Sequence, residues 1–287
     1  MRAGLYKYLN DNMLKRFRFM FICICMMSLF HAGGLLHAQV EMPHSLEVGP
    51  HVGPGYMICD INPARHFAQS NLQYGGMVRY NSNFRWAFRL EYTNATLKAS
   101  DEVIGWRPER GLSVKTVVND FSMLAEFNFY EYFTGKRSKS FSPYLLGGFS
   151  VFHYTPYNKD GIDLRKVTTE EETVKRKGWP WTFPKSSQAG VSMVFGLGLK
   201  TSLSKHLCMT LEWRLHETFT DYLDDVSGLY VNEDGTNKPS AFSDPTGKFS
   251  EGQQRGDSAH NDWFGIAGVT LSWRFNLPGK DVCKMMK

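Results

Sequence analysis

Segments of about ten residues in which apolar and polar side chains alternate recur along the chain, which is the form of transmembrane β-strands. In the clearest, Leu207, Met209, Leu211, Trp213 and Leu215 share one face, while Cys208, Thr210, Glu212, Arg214 and His216 share the other. A later one sets Trp263, Gly265, Ala267, Val269, Leu271, Trp273 and Phe275 against Gly268, Thr270, Ser272 and Arg274. An earlier one sets Val191, Met193, Phe195, Leu197 and Leu199 against Ser192, Gly196, Gly198 and Lys200. Shifting the first of these by one residue would put Glu212 and Arg214 into lipid, at roughly 2–4 kcal/mol for the Arg at mid-membrane. That penalty decides which face is outside. No apolar run reaches 18 residues, so a membrane-spanning helix is excluded.

The same rule identifies strands with Leu72, Tyr74, Gly76, Val78 and Tyr80 outward, with Phe84 to Tyr92 outward at alternate positions, and with Phe121 to Phe129 outward likewise. A short strand around Leu46-Glu47-Val48 and one over Phe141 to Thr155, apolar on both faces, bring the number to eight. The connections are 53–69, 81–83, 95–115, 132–140, 156–187, 203–205 and 219–260, so every odd one is long and every even one short. An outer-membrane barrel has short periplasmic turns and long outer loops. A soluble barrel would invert the pattern, with charge outside. The expectation is an all-β fold, an eight-stranded antiparallel transmembrane barrel over residues 39–275, in the outer membrane, with a periplasmic tail over 276–287.

An exported chain needs a leader. Lys15, Arg16 and Arg18 precede the apolar stretch Phe19 to Phe30, and Leu36-His37-Ala38 resembles a cleavage site, so 1–38 reads as a signal peptide, with Met13 an alternative start. The formal charge of +5 suggests nucleic-acid binding only until it is divided. The leader holds five of the 33 basic residues and one of the 28 acidic ones, leaving 28 against 27 in the rest. Cys59, Cys208 and Cys283 are odd in number and widely spaced, so they define neither a disulfide framework nor a metal site. No cofactor, metal or small-molecule substrate is expected.

The polar faces place Glu47, Arg79, Arg85, Arg89, Glu91, Glu126, Lys200, Glu212, Arg214 and Arg274 in the lumen. Eight strands leave room only for side chains. Charges in so narrow a space must pair, since an isolated buried charge is costly. A salt-bridged filling is expected, rather than a selective pore.

Five stretches resemble the small outer-membrane barrel of the Bacteroidetes type IX secretion system, the PorG-like proteins. They are Glu47-Val48-Gly49 with Tyr56 and Asp60-Ile61-Asn62-Pro63; Gly76 with Arg79-Tyr80-Asn81 and Arg85 to Arg89; Asp120-Phe121 with Glu126 to Phe129; Pro143-Tyr144 with Gly147-Gly148; and Thr218 to Tyr230, which contains Thr220, Asp221, Tyr222, Asp224, Asp225 and Ser227. Cys59 departs from the Gly that the pattern has before Asp60. The resemblance implies a non-enzymatic component of a protein-export machine. Its partners would be outer-membrane lipid and a periplasmic ring built from a lipoprotein and a companion subunit (PorK/PorN-like).

Two further classes are weighed against that one: an OmpA-type structural or adhesive barrel, and a barrel hydrolase. For the hydrolase, Asp221, Asp224 and Asp225 with His206 or His216 are the candidates, since paired acids beside a His can activate water. Adjacent Asp224 and Asp225 would point apart in an extended segment, and no second acid-plus-His pair accompanies them. For partner docking, the 132–140 turn carries Lys136, Arg137 and Lys139, and the tail adds Lys280, Lys284 and Lys287. Such a basic patch suits an acidic partner or anionic headgroups.

Overall fold

The structure, a computed structural model, describes residues 44–134, 139–166, 189–231 and 240–277. The leader, Cys283 and nearly all of the tail lie outside these residues. Eight strands form a closed barrel: β1 (Ser45–Ile58), β2 (Asn71–Asn81), β3 (Trp86–Ser100), β4 (Ser113–Asn128), β5 (Phe141–Tyr157), β6 (Ala189–Ser202), β7 (Leu207–Thr218) and β8 (Trp263–Asn276). Each pairs antiparallel with the next, and β8 closes on β1. No described helix is long and apolar enough to cross a membrane.

Side-chain orientation follows the alternation. Val52, Leu72, Tyr74, Phe88, Leu90, Phe121, Met123, Phe149, Leu197 and Trp273 are exposed on the outer face, while the charged residues between them are buried. A continuous apolar belt of this kind is stable against lipid and not against water. It places the barrel in the outer membrane. The turns 82–85, 129–140 and 203–206 lie at the end that holds both described termini. That is the periplasmic end, by the rule that short turns face the periplasm.

The element boundaries correct the sequence reading in three places. β1 runs on to Ile58, because the glycine- and proline-rich stretch from Gly53, which reads as loop, pairs with both β2 and β8. β3 starts at Trp86, not Phe84, since Asn83 Oδ1 accepts from the Arg85 and Trp86 amides and turns the chain there. The connection expected over 95–115 contracts to 101–112, no longer than the turn 129–140, so the long–short alternation does not hold at that pair. The reason is a reversal of polarity. Beyond Tyr92 and Phe121, β3 and β4 turn Ala95, Leu97, Ala99, Val114 and Val118 inward and leave Lys98 and Lys115 exposed. These strand ends rise above the lipid, so water now bathes the outside and the apolar residues move in.

One seam is incomplete. The β1–β8 ladder skips Gly49-Pro50 and Gly53-Pro54, whereas the β1–β2 ladder is continuous over the same residues. Proline has no N–H to donate and is normally confined to sheet edges. The residues opposite Pro50 and Pro54 in this register are Leu271 and Ala267. Gln73 Nε2 reaches the Ala267 carbonyl at 3.3 Å and partly replaces the missing donor. Gly49 lets the two strands approach here, since a Cβ at that position would lie 1.9 Å from the Leu271 oxygen.

Candidate functional site

Four carboxylates and four cations fill the middle of the barrel. Arg79, fully buried, bridges Glu47 (2.8 Å) and Glu126 (3.0 Å), and Lys200 also pairs with Glu126. Arg89 reaches Glu91 (3.2 Å), Glu126 (3.2 Å) and Glu212 (2.8 Å), and Arg214 pairs with Glu91 and with Glu212 (2.9 Å). Tyr144 donates to Glu212 at 2.5 Å, and His51 lies 3.2 Å from Glu91. These residues come from β1 to β7, because inward positions at one height on successive strands converge in so small a barrel.

Two of the expected lumen residues stand apart. Arg85 is exposed on the periplasmic turn, where its guanidinium donates to the Phe129 carbonyl, because β3 begins after it. Arg274 is inside, but it meets no carboxylate among the described residues. Its guanidinium lies 3.9 Å from the Phe133 ring centre and donates to Asn276.

The turn 129–140 does more than connect strands. Tyr132 and Thr134 are buried in the lower mouth, where Thr134 Oγ1 donates to Glu47 at 2.8 Å and the Tyr132 hydroxyl contacts Cys208 at 2.8 Å. Of the residues expected to meet a partner, Lys139 pairs with Glu131 and sits over the Phe84 ring. Lys136 and Arg137 lie outside the described residues.

The upper mouth is closed by the motif from Thr220 to Ser227. Leu223 and Val226 enter an apolar cluster with Ile61, Leu97, Val114, Phe152 and Phe264. Thr116 Oγ1 donates to the Leu223 carbonyl at 2.6 Å, and the Leu223 amide donates to Asp262 at 2.8 Å. Ser227 donates to Asp221, the Val226 amide to Asp224, and Arg255 to the Asp225 carbonyl. The remaining motif residues serve the same cap. Asn62 spans Met57 and Arg65, Asp60 accepts from the Asp257 amide, Thr220 accepts from Tyr222, and Tyr222 is itself buried. Arg110 ties three loops together through Asp101 and the carbonyls of Asp60 and Arg255.

Burial and the neighbouring Asp60 push the Asp224 carboxyl up to about 8. Burial, with Asp224, Asp221 and Asp60 nearby, holds Asp262 far above the usual carboxylate range. Burial chiefly, then Asp224 and Asp262, raises the Cys59 thiol.

The hydrolase candidates are not brought together. His206 lies on the periplasmic turn, stacked on Trp273, while the three acids are at the outer end. His216 is buried in the lumen, where Ser192 (3.3 Å), Ser150 (3.5 Å) and Asp120 (3.8 Å) all approach Nδ1. Its Nε2 has no hydrogen-bond partner, and the ring stacks on Phe264. A relay needs the nucleophile and the orienting acid on opposite ring nitrogens. Among the described residues no three metal-ligating side chains converge.

No curated protein matches the chain. Among solved structures, neisserial surface protein A is similar at 11% identity, with 81% of this chain and 97% of that one covered and a TM-score of 0.42. The outer membrane protein OprG of Pseudomonas aeruginosa shares 14% identity over 82% and 97% of the two chains, with a TM-score of 0.39. The attachment invasion locus protein Ail of Yersinia pestis, solved with a heparin analogue, shares 11% over 82% and 100%, with a TM-score of 0.38. A family model described as a domain of unknown function, DUF6089, matches residues 16–285. Since that match takes in nearly the whole chain, the protein belongs to the DUF6089 family.

Proposed function

We propose that the protein is a non-conducting, non-catalytic outer-membrane barrel of the OmpA type, a structural or adhesive element that works through the surfaces at its two ends. The observation that carries this reading is the closure of the interior at three levels. Tyr132 and Thr134 fill the lower mouth, the Glu–Arg–Lys network the middle, and Leu223 and Val226 the upper mouth. A charge network paired this fully offers an ion no free site, and the apolar cap above it offers no hydration. The described parts of the first, second and fourth outer connections, tied together by Arg110 and Arg255, then present a joined surface toward the medium. The reconstituted protein should give no steady conductance in planar bilayers. A stable, ion-selective current would overturn the reading.

The sequence resemblance favours a second reading, a component of a type IX secretion machine attached to a periplasmic ring. Its most specific stretch, Thr218 to Tyr230, is the segment that builds the upper cap. Purification from the native outer membrane separates the two readings. Ring proteins that co-purify, and that are lost when Lys136 and Arg137 are changed to Glu with the barrel still heat-modifiable in gels, support secretion. Their absence leaves the structural or adhesive role.

A further inference from the structure

Near its outer end, the barrel wall is covered at one place by protein. Tyr56 is an outward position of β1, paired with Gly265 of β8, which in turn pairs with Leu215 of β7, yet Tyr56 is fully buried. The first outer connection, 59–70, folds down over it. His66 Nδ1 lies 2.9 Å from the Tyr56 hydroxyl, and the Phe67 ring centre lies 4.6 Å from that of Tyr56. Trp213, outward on β7, donates to the same hydroxyl at 2.9 Å. Gly265 provides the room, since a Cβ there would lie 2.2 Å from the Tyr56 ring.

Between this connection and the end of the fourth, 257–262, lies a groove of about 630 Å³. Its floor is the barrel wall itself. Ile58, Leu215, Glu217 and Trp263 are all outward positions, and Trp263 stands opposite both Ile58 and Glu217. Leu215 pairs with Phe195, and Trp263 meets the Phe195 ring edge to face at 5.7 Å. Phe195 belongs to the exposed apolar belt, so the floor continues the lipid-facing surface. A groove in this position opens to the outer leaflet, and its volume is that of a small-molecule site.

Charge decides which lipid it suits. No Lys or Arg lines the groove, and of its two histidines His66 is bonded to Tyr56 and His260 to Asp257. Asp60, Asp221 and Asp262 accept from the Asp257 amide, the Ser227 hydroxyl and the Leu223 amide. The Glu217 carboxylate has no partner among the described residues. Its backbone is held in the ladders to β6 and β8, so its side chain is the part that reaches the groove. An acid on the lipid face costs under about 1 kcal/mol near the interface, and an ammonium beside it gains a charge-assisted hydrogen bond. A head with phosphate and hydroxyls alone finds no cation there. We infer that this groove binds one lipid whose head ends in a primary amine, its ammonium on Glu217 and its apolar part over Leu215, Trp263 and Phe195. The site is independent of whether the barrel serves in adhesion or secretion.

The test uses the full mature chain in detergent, titrated with dilauroyl phosphatidylethanolamine and, separately, with dilauroyl phosphatidylglycerol. The two lipids share chains and phosphate, and the second has a diol in place of the amine. Native mass spectrometry counts the bound lipid. The ethanolamine lipid should saturate at one per barrel, and the glycerol lipid should bind about tenfold or more weaker, the ratio expected for a hydrogen bond to a charged group. Glu217→Gln should bring the ethanolamine lipid down to the affinity of the glycerol lipid. Ala259→Trp, which fills the groove from its loop side and leaves Glu217 in place, should abolish the one-to-one complex while the barrel stays heat-modifiable. Equal affinity for the two lipids, or full binding in Glu217→Gln, would overturn the ammonium assignment. A one-to-one complex that survives Ala259→Trp would put the lipid elsewhere on the belt, and no saturable binding would remove the site.

Discussion

Arg79 shows how much one side chain can carry in a barrel this narrow. It is fully buried and bonded to two carboxylates on different strands. Replacing it with Ala leaves Glu47 and Glu126 with less countercharge, a change that typically costs about 3–5 kcal/mol. Arg85 was expected in the same network, yet it is exposed and bonds only to a turn carbonyl. Arg85→Ala should therefore stay within about 0.5 kcal/mol of the unmodified protein. Urea unfolding in detergent, followed by gel mobility, measures both. Equal losses would mean that Arg79 is not the keystone the geometry makes it. The misassignment of Arg85 has a plain cause. It continues the period-two pattern of β3, and only the Asn83 turn, which bonds two successive amides, takes it out of the sheet.

At the scale of elements, β1 and the cap are the two places where local sequence and tertiary role diverge. Pro50 and Pro54 each remove a donor toward β8. Changing either to Val restores an N–H worth about 1 kcal/mol, offset in part by the freedom that losing proline gives the unfolded chain. That entropic part is common to both positions. Pro50→Val should thus stabilise more than Pro54→Val, because the Ala267 carbonyl already accepts from Gln73. Urea midpoints in the reverse order would contradict this account of the seam.

The cap should respond to pH. Asp224 and Asp262 hold protons in the folded protein that unfolded carboxyls lose near pH 4. The folded state binds more protons, so cap stability is complete below that value and falls as pH rises through about 8. The groups around this pair are Asp60, Asp221, Cys59 and Arg255, of which only Arg255 is a cation. Hydrogen exchange at the Leu223 and Val226 amides, corrected for intrinsic rates, should report easier opening at pH 8.5 than at pH 6. A flat profile, or tighter closure at high pH, would remove the proton-holding role. Asp224→Asn should flatten the dependence.

At the scale of the whole molecule, the barrel is a sheet that serves two solvents. Within the lipid it is apolar outside and charged inside. Above Tyr92 and Phe121, β3 and β4 are polar outside and apolar inside, like strands of a soluble barrel. This explains why the interior divides into a charged lower part and an apolar upper part, and why the cap can be apolar at all.

Strand number, chain order and face assignment were legible in the sequence because each rests on local periodicity and a large penalty for placing charge in lipid. The family-like motif from Thr220 to Ser227 was legible as a motif, but not as a plug. Its contacts join Thr116 to Leu223 and Asp262 to Leu223, pairs far apart in the chain that meet only once the barrel has closed. The same holds for the partner of each lumen charge, which depends on strand stagger, and for Tyr132 and Thr134, which look like ordinary turn residues. Periodicity is a property of neighbours along the chain and determined the wall. What fills and closes the barrel is set by residues brought together across it, and only the tertiary structure decided that.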